Sequence, residues 1–191
     1  MQRKFIVLVF LAIQAVAATR ASAQEAGVFN SIKGFGAYFS LPAKNGVFHS
    51  ATAFVDIYGV ATSRCSYPGY KLNLSRQYII REFDKSPVHM RLYAGPGISL
   101  GMVHDHDKGR GIDLTSLISD NTGFMLAISG DIGCRFDFGS RVALDLSFMA
   151  EGGFHLREYE KEKNYSAASL SFYNNGVLQA IYPQLTILFR L

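Results

Sequence analysis

A long stretch of strictly alternating side chains runs from residue 141 to residue 157. Its even-numbered positions are apolar or small, and its odd-numbered positions include Asp145, Glu151 and His155. Successive side chains of a β-strand point to opposite faces, whereas a helix would scatter these polar residues around its circumference. The stretch therefore predicts one strand, far longer than the five or six residues of an ordinary strand.

The preceding segment, residues 123–138, alternates in the same way, and Gly139-Ser140 lies between the two. Two alternating runs joined by a short glycine-containing link predict a tight β-hairpin. Since the even-numbered residues are apolar in both strands, even positions must face even positions across the hairpin.

Two registers satisfy this requirement. One places Arg135 opposite Asp145, and the other places Asp137 opposite Arg141. Either puts an acid against a base on the polar face, where cross-strand pairs stabilise a sheet. We favour Arg135–Asp145 because that pair lies deeper, farther from the solvated turn.

Five further segments alternate, with a few exceptions. Phe54 and Tyr58 fall on the polar side of their segment, Leu188 breaks the polar face of the last one, and Arg76 falls on an otherwise apolar face. The five segments are residues 35–41, 51–57, 71–81, 88–102 and 184–191.

The lengths of the strands distinguish a membrane fold from a soluble one. A bilayer-crossing strand needs about 9–11 tilted residues with apolar-out, polar-in alternation, and only a closed barrel pairs every backbone group within lipid. Short connections also alternate with longer polar ones, as in barrels with short periplasmic turns. The sequence predicts an all-β fold, a closed antiparallel transmembrane β-barrel of eight strands. The expected connections are residues 42–46, 61–69, 84–86, 104–120, 139–140 and 158–180.

Only seven segments alternate clearly, whereas bacterial barrels of this class have an even number of strands. The missing strand could lie in residues 26–32 or in residues 167–173, which precede Asn174-Asn175-Gly176. Alternatively, residues 42–69 could be divided differently. The alternation leaves these alternatives open.

The N-terminus has the pattern of a secretory signal peptide. Arg3 and Lys4 precede an apolar run over residues 5–18, and Ala21-Ser22-Ala23 supplies the small residues of a cleavage site. We therefore expect residues 1–23 to be a signal peptide and residues 24–191 to form one outer-membrane β-barrel domain. No later run approaches 18 apolar residues, so no transmembrane helix is expected.

Cleavage would also change the charge. The chain carries 19 basic and 15 acidic residues, and removing Arg3, Lys4 and Arg20 lowers the net charge from +4 to +1. No cluster of lysine and arginine is left that could bind nucleic acid. Of the two cysteines, Cys134 falls in a strand and Cys65 in a connection, so two separate thiols are favoured, although pairing stays open.

The signal peptide, the long alternating strands and the aromatic-containing last segment, residues 182–191, resemble the small OmpA/OmpX-type outer-membrane barrels, particularly those numerous in Bacteroidetes. Ile187-Leu188-Phe189-Arg190-Leu191 is similar to the terminal strand read by the barrel-assembly machinery, although Leu191 replaces the usual final aromatic residue. The resemblance implies an eight-stranded, lipid-embedded barrel in the Gram-negative cell outer membrane. Its implied partners are outer-membrane lipid and the barrel-assembly machinery. We expect a monomer, and the resemblance implies no single activity.

Several charged residues fall on the predicted inner face. An eight-stranded barrel is just wide enough to be filled by its side chains, and buried charges persist there when they are paired. We therefore expect a structural salt-bridge network that closes the lumen, with a proton or ion path as the alternative. The residues concerned are Arg91, Asp131, Arg135, Asp145, Glu151 and His155.

Two short motifs invite a ligand-binding interpretation. His104-Asp105-His106-Asp107 contains ordinary metal ligands, but consecutive residues of an extended chain point apart and do not converge on one ion. A pH-responsive loop is an alternative use of these histidines. Gly95-Pro96-Gly97 lies inside an alternating run and lacks the strand-to-helix context of a phosphate-binding loop. We expect neither a metal site nor a cofactor.

A lipid-modifying enzyme would need a nucleophile with a base in reach. Ser147 and His155 share a face but lie about 27 Å apart at the rise of a strand. No catalytic residue is expected, and the favoured function is a non-enzymatic outer-membrane barrel with a structural or surface-interaction role and no wide pore. The alternatives are a lipid-modifying barrel enzyme and a soluble periplasmic ligand-binding barrel, which would face its apolar residues inward.

Overall fold

The structure is a computed structural model. It describes residues 25–61, 68–85, 87–104, 122–139, 141–161, 165–173 and 181–190. The expected signal peptide lies outside the described residues. Within them, no helix is long and apolar enough to cross a membrane.

The described chain forms nine antiparallel strands in one sheet. Neighbouring strands pair in sequence order from β1 to β7, and β9 pairs with both β7 and β1, which closes the sheet into a barrel. A four-residue helix, Tyr58–Ala61, follows β3. The strands are β1 Glu25–Ser31, β2 Gly34–Ser40, β3 Val47–Asp56, β4 Gly69–Lys85, β5 Val88–His104, β6 Thr122–Phe138, β7 Val142–Lys161, β8 Tyr165–Tyr173 and β9 Ile181–Arg190.

The ring has eight strand positions because β8 and β9 occupy the same edge of β7. The first half of β7 pairs with β9 through Ala150–Ile181, and the second half pairs with β8 from Gly153–Tyr173 onward. The expectation of eight strands is therefore confirmed, and β1 shows that one missing strand lies at the N-terminal end. The alternative that residues 167–173 form a strand is also confirmed, because they lie in β8. The uninterrupted connection over residues 158–180 is therefore wrong.

The β2–β3, β4–β5 and β6–β7 connections are short and lie at one end of the barrel, which we call the turn end. Asn45 and Gly46 have positive φ angles of 53° and 73° in the β2–β3 turn, and Gly139 has a φ of 67° between β6 and β7. Glu25 and Arg190, the first residue of β1 and the last of β9, face each other at the same end. The opposite end, which carries the longer β3–β4 and β5–β6 connections together with the two-residue β1–β2 turn, is called the loop end.

The polarity of the wall follows the alternation. Ile128 is 75% exposed on the outer face, whereas Asp145 on the inner face is 2% exposed. This is the reverse of the arrangement that we expect for a soluble ligand-carrying barrel. Cys134 lies on the outward side of β6 as a free thiol, and Cys65 lies outside the described residues.

Phe54 and Leu188, which interrupt the polar side of the alternation, belong to an apolar patch inside the barrel. Phe54 packs against Phe29 with ring centroids 5.3 Å apart. Tyr38, Ala143 and Leu188 complete this buried cluster. The inner face is therefore aromatic near β1–β3, and this explains why the alternation is weak in those strands.

Candidate functional site

Arg135 of β6 is the centre of a buried ionic cluster at the turn end. Its guanidinium forms ion pairs with Glu25 of β1 and with Asp145 of β7, the latter with Nε and Oδ2 3.2 Å apart. It also donates a 3.1 Å hydrogen bond to the hydroxyl of Tyr38 and lies 5.0 Å from the ring centroid of Phe48. One side chain on β6 therefore joins β7 to β1 and β2, which lie on opposite sides of β9.

The predicted hairpin register is confirmed. Arg135 pairs with Asp145 across β6 and β7, and Asp137 lies opposite Ala143 instead of Arg141. Because even-numbered residues face even-numbered residues throughout, both strands keep their apolar side chains outside.

Asp145 is held by a second donor that crosses an intervening strand. The hydroxyl of Tyr93 on β5 donates a 2.6 Å hydrogen bond to Asp145 on β7. Gly133 of β6 lies directly between them, paired with Tyr93 on one side and Ser147 on the other. A Cβ at Gly133 would lie 2.5 Å from the Tyr93 ring, so the absence of a side chain there lets the ring lie across β6.

A second layer of ion pairs surrounds this centre. Arg91 pairs with Asp137 at 2.8 Å, and Arg190 pairs with Asp137 at 2.6 Å. Arg190 also reaches Glu25 at 3.2 Å, next to the junction of β1 and β9. The turn-end cluster thus contains three arginines and three carboxylates: Arg91, Arg135, Arg190, Glu25, Asp137 and Asp145.

The loop end is closed by a smaller cluster. Lys33 and Lys71 both reach Oε1 of Glu151, at 3.0 and 2.6 Å, and Lys71 reaches Asp56 at 3.3 Å. Lys33 lies in the β1–β2 turn, yet it is 2% exposed and its ammonium group lies 4.4 Å from the ring centroid of Tyr182. The turn therefore folds its lysine inward over the lumen.

Uncharged polar side chains fill the middle of the barrel. Asn73 donates hydrogen bonds to Ser99 and Ser129 at 2.9 and 2.7 Å, and Ser147 donates to Gln184 at 3.2 Å. The cavity at this level has a volume of about 10 Å³. That is about the space one water molecule needs.

Asp131 is the exception to the charge balance. The two clusters pair three cations with three anions and two cations with two anions, and neither includes Asp131. Gln77 donates a 2.9 Å hydrogen bond to Oδ2 of Asp131, whereas Oδ1 has no partner among the described residues. Asp131 therefore lies inside the barrel without a basic partner in the described part of the chain.

Several of the sequence-based candidates lie beyond the described side chains. This applies to His155 and to the whole of His104-Asp105-His106-Asp107, so the metal and enzyme interpretations of those residues stay predictions. Where side chains are described, no group of three metal-ligating residues comes together. The hydrogen bonds of the described inner face join no serine to a histidine.

Sequence reasoning missed several members of the two clusters. Glu25 lies in the weakly alternating N-terminal segment, and Lys33 lies in a turn whose inward direction no periodicity reveals. The signal for Lys71 and Arg190 was available, because both fall on the polar face of alternating segments. Of the expected inner charges, Arg91, Arg135, Asp145 and Glu151 are in the network.

Comparison with solved structures finds the same architecture. The N-terminal β-barrel domain of Pseudomonas aeruginosa OprF matches with a TM-score of 0.53 and 13% identity, over 89% of this chain and 98% of that one. A major outer membrane protein from Thermus thermophilus matches with a TM-score of 0.55 and 13% identity, over 88% and 98%. No protein-family model matches the chain. Comparison with curated proteins also gave no match.

Proposed function

We propose that the chain is an integral outer-membrane β-barrel protein with a structural or surface-interaction role and no wide pore. The observation that carries this proposal is the polarity of the wall, which is apolar outside and ion-paired inside. Only lipid makes a continuous apolar exterior favourable, since a soluble protein rarely exposes so large an apolar patch. The likeness to two outer-membrane barrels supports the same location.

The length of one hairpin supports a role at the surface. β6 pairs with β7 as far as Arg157, whereas β7 and β8 continue to pair as far as Lys161–Tyr165. At the loop end, β7 and β8 therefore stay paired beyond the last described pair of β6 with β7. In a barrel with periplasmic short turns, that end faces outward from the cell.

The filled lumen leads to a prediction about conductance. Purified protein reconstituted in planar bilayers should give no porin-like current, because two ionic clusters and a polar layer with a cavity of about 10 Å³ block the axis. Stable, large single-channel steps that recur in independently purified samples would contradict a closed barrel.

A further inference from the structure

A basic pair lies within the apolar outer surface of β3 and β4. Arg76 of β4 and His49 of β3 are cross-strand partners, and both side chains are exposed on the outer face. Their chain neighbours Ser75, Gln77 and Ser50 are buried on the inner face. Arg76 is also the residue that interrupts the apolar side of its strand in the sequence.

Apolar side chains lie on both sides of Arg76 along β4. Leu74, toward the loop end, is 48% exposed, and Tyr78 and Ile80, toward the turn end, are 42% and 65% exposed. The Arg76 guanidinium lies 5.3 Å from the Tyr78 ring centroid. The charge therefore lies within the apolar surface, where a lipid-facing arginine is unfavourable without a counter-charge.

The protein itself supplies no such counter-charge in its described part. The one carboxylate among the groove residues is that of Glu25, which belongs to the inner face and is bound by Ser40, Arg135 and Arg190. The side chains of Arg76 and His49 are thus accessible to molecules that contact the outer surface of the barrel.

A groove begins beside this pair and runs over the outer surface of β2 to β5. Its volume is about 710 Å³. Its outward-facing apolar lining consists of Phe39, Leu41, Ala51, Leu74, Pro96 and Ile98. A basic pair beside an apolar groove matches the two parts of a phospholipid, because guanidinium groups bind phosphate in a bidentate manner and acyl chains pack on apolar surface.

We propose that Arg76 and His49 bind the phosphate of an anionic phospholipid whose acyl chain lies in this groove. His49 is the third residue of β3, close to the turn end, so the lipid belongs to the periplasmic leaflet. This proposal rests on the membrane location proposed above. It assigns the misplaced arginine of β4 to recognition of a lipid headgroup.

The chain contains no tryptophan, so one introduced tryptophan reports on the groove alone. The reporter is Leu74→Trp, and the matched control is Leu146→Trp on β7, where the native leucine is 46% exposed compared with 48% for Leu74. Each variant is reconstituted in phosphatidylcholine vesicles with a minor share of phosphatidylglycerol. Two samples of each variant are compared. Brominated acyl chains, which quench tryptophan fluorescence, are carried by the phosphatidylcholine in one sample and by the phosphatidylglycerol in the other.

We expect tryptophan at position 74 to report about a fivefold enrichment of phosphatidylglycerol over its bulk share, since a basic residue near the surface attracts anionic lipid to about that extent. The control should report no enrichment. Adding Arg76→Gln and His49→Gln to the reporter should reduce its enrichment to that of the control. Both residues are exposed, so these substitutions leave the inner network intact.

Equal quenching by the two lipids at position 74 would overturn the proposal, and so would an enrichment that survives both glutamine substitutions. Loss of quenching by both lipids at position 74 alone would show that a second copy covers the groove, which also contradicts lipid binding. If neither tryptophan were quenched by either lipid, the barrel would not lie in the bilayer, and the proposed location itself would fail.

Discussion

Replacing Arg135 by methionine is expected to lower the free energy of unfolding by about 3–5 kcal/mol, the usual cost of removing one partner from a buried ion pair. Arg135 is 2% exposed and forms ion pairs with both Glu25 and Asp145. Among the described residues, its loss leaves the buried Asp145 without a cation and leaves Glu25 paired with Arg190 alone. The measurement is the shift of the urea unfolding transition in detergent micelles, followed by far-ultraviolet circular dichroism.

The matched control is Asp131→Asn. This change also removes a charge from the inner face, but Asp131 has no basic partner among the described residues, and asparagine can still accept the hydrogen bond from Gln77. Its free energy of unfolding should stay the same or rise, because burial of an unpaired charge is unfavourable. If Arg135→Met changed stability no more than Asp131→Asn does, the turn-end cluster would not be what stabilises the barrel.

Gly133→Ala is expected to lower the free energy of unfolding by more than about 2 kcal/mol, through overpacking and loss of a buried hydrogen bond. The added methyl group would lie 2.5 Å from the Tyr93 ring and 2.8 Å from the Cβ of Ser147. The ring must then move away from Asp145, which loses its 2.6 Å hydrogen bond. The same urea titration measures the effect.

Gly130→Ala provides the comparison on the same strand. Gly130 lies on the outer face, and a Cβ there would meet no atom within 4 Å. Its substitution should be neutral or slightly stabilising, since glycine weakens strands. Combining Gly133→Ala with Tyr93→Phe should cost less than the sum of the two single changes, because both disrupt the same contact. Strict additivity would show that Tyr93 does not depend on the glycine.

The part of the fold from β4 to β7 could be predicted from the sequence because its two faces differ strongly in polarity. In the β6–β7 hairpin, the alternation and a short turn together limited the register to two alternatives, and depth favoured the one that forms. The pairing of Arg135 with Asp145 follows from that register alone.

The rest of the network could not be predicted, for two physical reasons. Partners such as Glu25 and Arg135 are far apart in the chain and meet only because the barrel closes, so local periodicity carries no information about them. In β1 and β3, Phe29 and Phe54 occupy the inner face, which removes the contrast on which alternation depends.

The β7–β8 hairpin could be offered from the sequence only as one alternative, for a related reason. In Tyr165–Tyr173 neither set of alternate positions is uniformly apolar, and β7 is the one described strand with which the segment pairs. A strand that does not complete the ring is under less demand to keep one face apolar, so its sequence resembles a polar connection.

The central claim is that the apolar exterior of the barrel is embedded in lipid. It is tested most directly on membranes from cells that produce the protein. The membranes are extracted with alkaline carbonate, and heated and unheated samples of the protein are compared by gel electrophoresis. The protein should stay with the outer-membrane pellet, and the unheated form should migrate as a compact species that heating converts to the slower, unfolded one. Recovery of most of the folded protein in the soluble periplasmic fraction would contradict the account.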